Sequence, residues 1–536
     1  NPVGRMRRCV WPRSDSIIRR RFCVCIHGIV RAMPERGHAH QQLRSTADAS
    51  AESADGDLQA DIDDGSAVGA SIGRFAGPLL AGAALGLTHP AALALGGLTA
   101  DESWTLALLS LMAVWWVTLA VEPAVTGLLP FVVLAILGIG KPSELAAPYA
   151  NDVIFLFAGG ALIGLSLERT GVSARFAGSI VALAGTSPLR VLAATMVATA
   201  LLSAFVSNLA TAATMLPLAT ALGARARADA KSDDERAAAG RFLTSLLLGV
   251  AFASSIGGAL TIIGSPPNPI AIEWLRDNGK DIGFVGWLRF SVPSVLVFLP
   301  IAIFVLGVLL FPARNLVIAR VAPNPQPLGR DGVAAMVVFL LAVLAWVTRD
   351  FYKDRFPVVT EGAIAVAAAL ALFLIPSASR KGTRVLQPSA FAQIPWRVLV
   401  LFGGGLSLAA AMERTGLSAQ LGAMIAGAGV LPTVAVLLVL VTLLVLASEV
   451  ASNTALTAMA VPIVGALAPG LGVEAEKLVI PAAFAASWAF AMPVGTPPNA
   501  LVYGTGRVRA QDMMRAGVIL DIVAIVVIVT MATILL

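Results

Sequence analysis

The sequence predicts an all-α polytopic membrane protein of about eleven transmembrane helices plus two re-entrant hairpins, set in inverted repeats. Three observations lead there. With 57% hydrophobic and 13% charged residues and a mean hydropathy of +0.83, the chain has too little polar sequence to cover a soluble globule. Apolar stretches long enough to cross ~30 Å of hydrocarbon recur from residue 72 to the end. A polar pair, Ser207-Asn208, interrupts one such stretch, and Ser452-Asn453 interrupts another 245 residues later.

The first 44 residues hold ten arginines against Asp15 and Glu35, a local charge of +8 within a total of +6, so the remainder carries −2. A basic tail ahead of a first span sets orientation more readily than it binds nucleic acid. Met6 and Met33 are both possible starts, and the Arg-rich, acid-poor opening reads either as a transit peptide or as an overextended reading frame, so residues 1–32 need not belong to the mature chain. Cys9, Cys23 and Cys25 all lie here, and Cys23-x-Cys25 lacks zinc-knuckle spacing. Residues 45–64, with seven acids and no base, read as disordered.

Candidate spans follow near 72–98, 104–121, 124–140, 153–168, 243–263, 286–311, 332–348, 358–375, 397–412, 479–502 and 516–536. The Ser-Asn segments, about 188–223 and 431–468, have arms of ~15 to 19 residues, roughly 22 to 28 Å of helix. They read as hairpins turning at mid-membrane or as pairs of full spans. Counting hairpins as zero crossings and placing the N-terminus inside puts the arginine-rich loops 224–242, 312–330, 376–397 and 504–515 inside. The hairpin reading therefore satisfies the positive-inside rule. Five crossings then separate the repeats, so they enter from opposite sides, the architecture of secondary transporters.

The offset of 245 also superposes Glu168-Arg169-Thr170-Gly171 on Glu413-Arg414-Thr415-Gly416, Ser203 on Ser448 and Pro217 on Pro462. Further on, Gly264-Ser265-Pro266-Pro267-Asn268 matches Gly495-Thr496-Pro497-Pro498-Asn499 at 231. A charged insert, Arg225 to Arg236, accounts for most of the shortfall. Paired prolines remove backbone donors and bar the preceding residues from helix, so carbonyls just upstream become free to bind. Bare carbonyls in lipid are costly and should face a cavity, a neighbour or an ion.

Neutral oxygens suit a singly charged hard cation. One set is Ser203, Ser207, Asn208 and the backbone near Gly264; the other is Ser448, Ser452, Asn453 and that near Gly495. Two copies imply two sodium-binding sites. Between the tips, helix N-termini and the Asn amides, with the hydroxyls of Thr454 and Thr496, can receive an anion. No Lys or Arg lies near either tip in sequence, so anion binding would depend on the cations. Small and hydroxyl residues also serve plain helix packing, a reading that suits a lone Ser-Asn pair better than two at constant offset. Glu449 has no counterpart, since Ala204 holds the matching place; a structural pairing or a role in proton coupling would both explain it. The tryptophans read as interface anchors and packing.

These features resemble the divalent anion/sodium symporter family, the sodium-coupled dicarboxylate, citrate and sulfate transporters. The stretch from Ala486 to Val502, ASWAFAMPVGTPPNALV, is similar to that family's signature, and with the two tips the likeness spans roughly residues 75–536. It implies a homodimer in a cell (inner) membrane, N-terminus cytoplasmic, with a scaffold and an elevator-type transport domain and Na⁺ as co-transported ion. The segments are a tail over 1–70; scaffold helices and the start of repeat 1 over 71–187; hairpin 1 and its broken helix over 188–311; scaffold and the start of repeat 2 over 312–430; and hairpin 2 with its broken helix over 431–536. Residues 188–311 and 431–536 form the transport domain in this scheme. Substrate would meet Asn208, Ser265, Asn453, Thr454, Thr496 and Pro497.

The family's Ser-Asn-Thr motif is intact as Ser452-Asn453-Thr454, but its first copy here reads Ser207-Asn208-Leu209. The expected function is symport of a C4-dicarboxylate such as succinate, malate or fumarate. Sulfate or citrate is the alternative substrate and sodium-independent exchange the alternative mechanism. A membrane enzyme would need a nucleophile and a base, and outside the tail the chain has no Cys and one His, His89. A sensor would need an output domain after the last span.

Overall fold

The computed structural model describes residues 98–320, 327–380, 382–426 and 432–536, together with positions 76, 78 and 79. The basic tail with its three cysteines, the acidic stretch and nearly all of the expected span over 72–98 lie outside the described residues. Among the described residues there is no strand, only an isolated bridge between Pro376 and Arg384.

Helix α1 (Ala100–Thr118) starts at a capping box in which Thr99 and Glu102 satisfy each other's backbone donors. The expected span over 124–140 is two shorter helices, α2 (Pro123–Thr126) and α3 (Leu129–Ile136). A short α4 (Pro142–Ala146) precedes α5 (Asp152–Arg169), which is capped by Asn151 Oδ1 accepting from Ile154 N at 3.1 Å. Then come α6 (Val172–Ala182), α7 (Pro188–Ser203), α8 (Asn208–Asp229) and α9 (Asp233–Gly258). After a non-helical stretch α10 runs Pro267–Asp277, and α11 (Phe284–Phe304) continues as a π-helical turn over Val305–Leu310. The second half comprises α12 (Arg330–Thr348), α13 (Glu361–Leu374), α14 (Trp396–Thr415), α15 (Leu417–Ala426), α16 (Thr433–Ser448), α17 (Asn453–Leu467), α18 (Glu476–Ser487), α19 (Pro497–Tyr503) and α20 (Ala510–Leu535).

Helix boundaries keep the sequence offset. Ser203 and Ser448 end α7 and α16, and Asn208 and Asn453 open α8 and α17, each pair 245 apart. The repeated Glu-Arg-Thr-Gly is a helix terminator: Gly171 and Gly416 adopt φ of 76° and 86°, which disfavours any residue with a Cβ. Six described helices are long and apolar enough to cross a membrane, those over Pro142–Arg169, Asp233–Gly258, Phe284–Leu310, Arg330–Phe351, Trp396–Thr415 and Ala510–Leu535. The hairpin arms α7, α16 and α17, and α13, are apolar but shorter.

The charged insert departs from expectation. Instead of a loop over 224–242, α8 runs on to Asp229 and α9 begins at Asp233, leaving three residues between them. Alanine and arginine are strong helix formers, Arg225 and Asp229 pair at i,i+4, and Ser232 caps a first turn holding Asp233, Asp234 and Glu235. The tryptophans split between two roles. Trp116, Trp287, Trp346 and Trp488 are fully buried, whereas Trp104 and Trp396 are 40% and 44% exposed, as interface anchors would be.

Candidate functional site

Both Pro-Pro motifs break a helix where the sequence predicts. The first break occupies Ala259–Pro266 between α9 and α10, the second Trp488–Thr496 between α18 and α19. Each is held beside the tip of its own hairpin.

At the first tip the Asn208 amide is oriented so that Nδ2 donates to Ser203 Oγ at 2.8 Å and to the carbonyls of Ser254 and Gly264 at 3.2 Å. Ser203 Oγ in turn donates to Ser254 O at 2.6 Å. Gly258 lies against this amide, and a Cβ there would meet Asn208 Cγ at 2.9 Å. Gly264 faces a cluster of backbone oxygens: a Cβ would lie 2.5 Å from Gly258 O, 2.9 Å from Ser203 O and 3.0 Å from Ala204 O. Convergent carbonyls beside the buried Ser203 hydroxyl are a donor set for a small hard cation, with the half-buried Asn208 amide at their edge. Ser207 stands apart: it caps α8, its Oγ accepting from Ala210 N at 3.3 Å.

The carbonyls around the first break are not bare. Trp287 Nε1 donates to Ala259 O at 2.9 Å, Ser291 Oγ to Leu260 O at 2.7 Å, and Asn268 Nδ2 to Gly258 O at 2.9 Å and Thr261 O at 2.7 Å. Thr261 Oγ1 donates to Ala204 O, tying break to tip. Asn268 of the motif is thus a brace. Its Oδ1 is buried without a hydrogen-bond partner, as is Ser255 Oγ on α9, and orphaned buried oxygens of this kind need an explanation such as an ion.

The second break has the opposite imbalance. Its surplus groups are N–H donors, and Glu449 meets them: Oε1 accepts from Phe490 N at 2.7 Å and Ala491 N at 3.0 Å, and Oε2 from Met492 N at 2.6 Å. Asp521 of α20 also accepts from Phe490 N, at 3.0 Å. Glu449 is therefore a structural partner of the break, and Asp521 beside it is a residue that sequence reasoning missed. Gly495 packs here too, a Cβ meeting Glu449 Oε2 at 3.0 Å and Met492 O at 3.3 Å. Asn499 Nδ2 donates to Met492 O at 3.1 Å, a counterpart of Asn268. Ser448 Oγ donates to Val445 O at 2.9 Å and Ala485 O at 3.4 Å. Asn453 Oδ1, Ser487 Oγ and Asn499 Oδ1 are buried with no hydrogen-bond partner. An aromatic shell surrounds the stretch, with Phe252 and Phe298 on Phe490, and Phe298 and Phe484 on Trp488.

The halves interlock through exchanged contacts. Helix α8 of hairpin 1 packs on α19 after the second break, and α17 of hairpin 2 packs on α10 after the first, with Gly465 against the Trp274 ring. Of the expected anion contacts, Ser265 and Thr496 are buried, and Thr496 Oγ1 caps α19 by accepting from Asn499 N at 3.3 Å. Thr454 is half-buried, Pro497 exposed, and Ser452 makes no side-chain cap bond. Leu209 is 47% exposed. Thr211 does not supply the missing hydroxyl, because it is buried and donates back to Val206 O at 3.4 Å.

Beyond α10 lies a cluster that sequence reasoning also missed, since its members are distant in the chain. Arg276 lies 3.2 Å from Glu361, 3.3 Å from Glu273, 3.5 Å from Asp281 and 3.6 Å from Asp152, and Arg349 joins Glu361 at 3.1 Å.

Comparison with known proteins adds to this geometry. The family model described as the sodium:sulfate symporter transmembrane region matches residues 88–535. A "Sodium-dependent dicarboxylate transporter SdcS" of Staphylococcus saprophyticus is 35% identical over 475 residues, covering 86% of this chain and 90% of that one. The protein of the same name from Staphylococcus aureus strain NCTC 8325 is 33% identical over 473 residues with the same coverage. Among solved structures, that of the Alcanivorax borkumensis YdaH transporter aligns with a TM-score of 0.49 at 17% identity, over 76% of this chain and 88% of that chain.

Proposed function

The chain belongs to the sodium:sulfate symporter family, and from that premise we propose that it is a sodium-coupled symporter that imports a divalent anion, with a C4-dicarboxylate such as succinate or malate as its substrate. It is a multi-pass membrane transporter and not an enzyme. The relatives' printed names support dicarboxylate as the cargo and Na⁺ as the co-transported ion.

The observation that carries the reading is the oxygen cradle at Gly264, where three backbone carbonyls converge beside the buried Ser203 hydroxyl and the Asn208 amide. Sodium is here a cargo, and the neutral donors suit a singly charged ion that must also leave. At the second tip Ser448, Asn453 and the Gly495 backbone form the matching set, with Glu449 adding a negative charge. The anion then sits between the tips, met by the N-termini of α8 and α17, by the hydroxyls of Ser207, Ser452 and Thr454, and by bound cations.

The transport step in this reading moves the two hairpins and broken helices as one elevator body, in a homodimer with the N-terminus cytoplasmic. Matching helix boundaries at 245 support inverted repeats. Their topology is supported by contacts among segments assigned to one side: Arg276, Asp152 and Arg349, which fall outside by charge counting, meet Glu361 or each other, and Glu361 stands near the outer end of the expected span 358–375. Sulfate is the second reading, and one observation favours it. With Leu209 in the first motif and Thr211 turned inward, that side offers fewer side-chain donors, which suits a smaller anion.

Uptake of radiolabelled succinate into proteoliposomes, with and without an inward sodium gradient and with sulfate, citrate and malate as competitors, tests it. Sodium-dependent succinate uptake is expected, abolished by Asn208→Ala and by Asn453→Ala. Sulfate uptake alone would reassign the substrate, and succinate exchange without sodium would overturn the cation sites.

A further inference from the structure

A cavity of about 260 Å³ lies away from the tips, between the start of hairpin 1, α9 and the π-helical end of α11. Its walls are mainly apolar: Leu189, Leu192, Phe242 and Phe311 line it, and the one serine among them, Ser245, has its hydroxyl turned back to Phe242 O. At roughly 30 Å³ per water-sized group it has room for about nine such groups, and walls of this kind suit hydrocarbon better than water. Gly307 forms part of the wall, and a Cβ there would lie 2.6 Å from Leu189 Cδ1 and 2.9 Å from Leu192 Cδ2. The π turn, closed by Phe311 N donating to Leu306 O at 3.0 Å, is the local distortion that places this wall.

The mouth is of a different character. Ser187 and Arg314 line it, and Arg314 is exposed. Arg241 donates from Nε to Pro312 O at 2.8 Å, two residues from Arg314, which brings a second guanidinium to the same rim. Ion pairs among the described residues engage neither of these arginines. The rim also falls at a membrane boundary, since the apolar span Phe284–Leu310 ends there and Arg314 follows four residues later.

We infer that this cavity is a binding site for an anionic phospholipid, one acyl chain entering between Leu189 and Phe311 while the phosphate lies against Arg314 and Arg241. Charge complementarity selects the occupant. Two unpaired guanidinium groups beside an apolar cleft at the end of a span match a lipid phosphate above an acyl chain, and basic pockets between membrane helices hold acidic head groups in this way. A zwitterionic lipid brings its own cation to the same rim and gains less. The site joins hairpin 1 to α9 and α11, so an occupied cavity braces the elements that carry the first tip. The inference stands apart from the choice of transported anion.

The test uses the full chain, purified and stripped of lipid. Melting temperature and native mass spectra are recorded with added short-chain phosphatidylglycerol, phosphatidylcholine of the same chains, or glycerol 3-phosphate. Phosphatidylglycerol should raise the melting temperature and remain bound at one per protomer, while the other two should do neither at equal concentration. Arg314→Gln, at an exposed position, and Leu189→Trp, which fills the cavity from its exposed side, should each raise the half-effective phosphatidylglycerol concentration about tenfold, or ~1.4 kcal/mol. Equal responses to phosphatidylcholine and phosphatidylglycerol would overturn the inference, as would wild-type binding by both variants. A full response to glycerol 3-phosphate alone would make the rim a soluble-anion site and overturn the lipid assignment.

Discussion

Replacing Gly264 with alanine drives one methyl group into the backbone oxygens expected to hold the first cation. Its carbon would stand 2.5 Å from Gly258 O, 2.9 Å from Ser203 O and 3.0 Å from Ala204 O. All three neighbours are backbone, so none can rotate away, and the contacts fall well inside ordinary van der Waals separation of ~3.5 Å. Overpacking of this kind costs about 1 to 3 kcal/mol. Relieving those contacts displaces the Gly258, Ser203 and Ala204 carbonyls that the expected cation would share. A tenfold loss of sodium affinity corresponds to ~1.4 kcal/mol, and the same difference appears in sodium-dependent stabilisation of the fold at saturating salt. Gly264→Ala should therefore melt at a lower temperature than the wild type and need at least about tenfold more sodium for half-maximal uptake. Thermal melting in NaCl against choline chloride, together with sodium titration of uptake, reads both effects. Gly495→Ala is the internal comparison, since its nearest backbone contacts are 3.3 and 3.4 Å and its effect should be smaller. A Gly264→Ala protein with wild-type sodium dependence would refute the cradle.

Glu449→Ala would leave the backbone N–H groups of Ala491 and Met492 without an acceptor, while Phe490 N keeps Asp521, at ~1 to 3 kcal/mol for each that water cannot reach. A loss of several degrees in melting temperature is expected, with Glu449→Gln recovering part of it by keeping an acceptor oxygen; equal stability of all three proteins would contradict the assigned role. Arg276→Gln removes the cation shared by four carboxylates, and because Glu361 keeps Arg349 the expected cost is roughly 2 to 3 kcal/mol, below the usual range for a broken buried pair. Melting measurements should show Arg276→Gln less stable than Arg276→Lys, and wild-type melting of either variant would contradict the cluster's contribution.

Much of this arrangement is legible in the sequence because it is local and repeated. A constant offset ties Ser203 to Ser448 and Asn208 to Asn453, and paired prolines fix where the helices break, whatever packs around them. The charged insert is less legible, because arginine and aspartate suggest a loop while their i,i+4 pairing and the Ser232 cap favour helix. Less visible was how each break satisfies its backbone. The two motifs look alike, yet one is braced by donors from Trp287, Ser291 and Asn268 and the other by the carboxylates of Glu449 and Asp521. Asp521 lies in an otherwise apolar final span, and an acid at that depth is itself a signal that points to a partner. The Arg276 cluster had no such signal, because its members are scattered between residues 152 and 361.

The most direct test of the central claim is the ratio of sodium to anion moved together. Proteoliposomes with the wild-type protein, given labelled sodium and labelled succinate in parallel, should take up at least two sodium ions per succinate, one for each tip-and-break set. Succinate uptake without accompanying sodium flux would contradict the account.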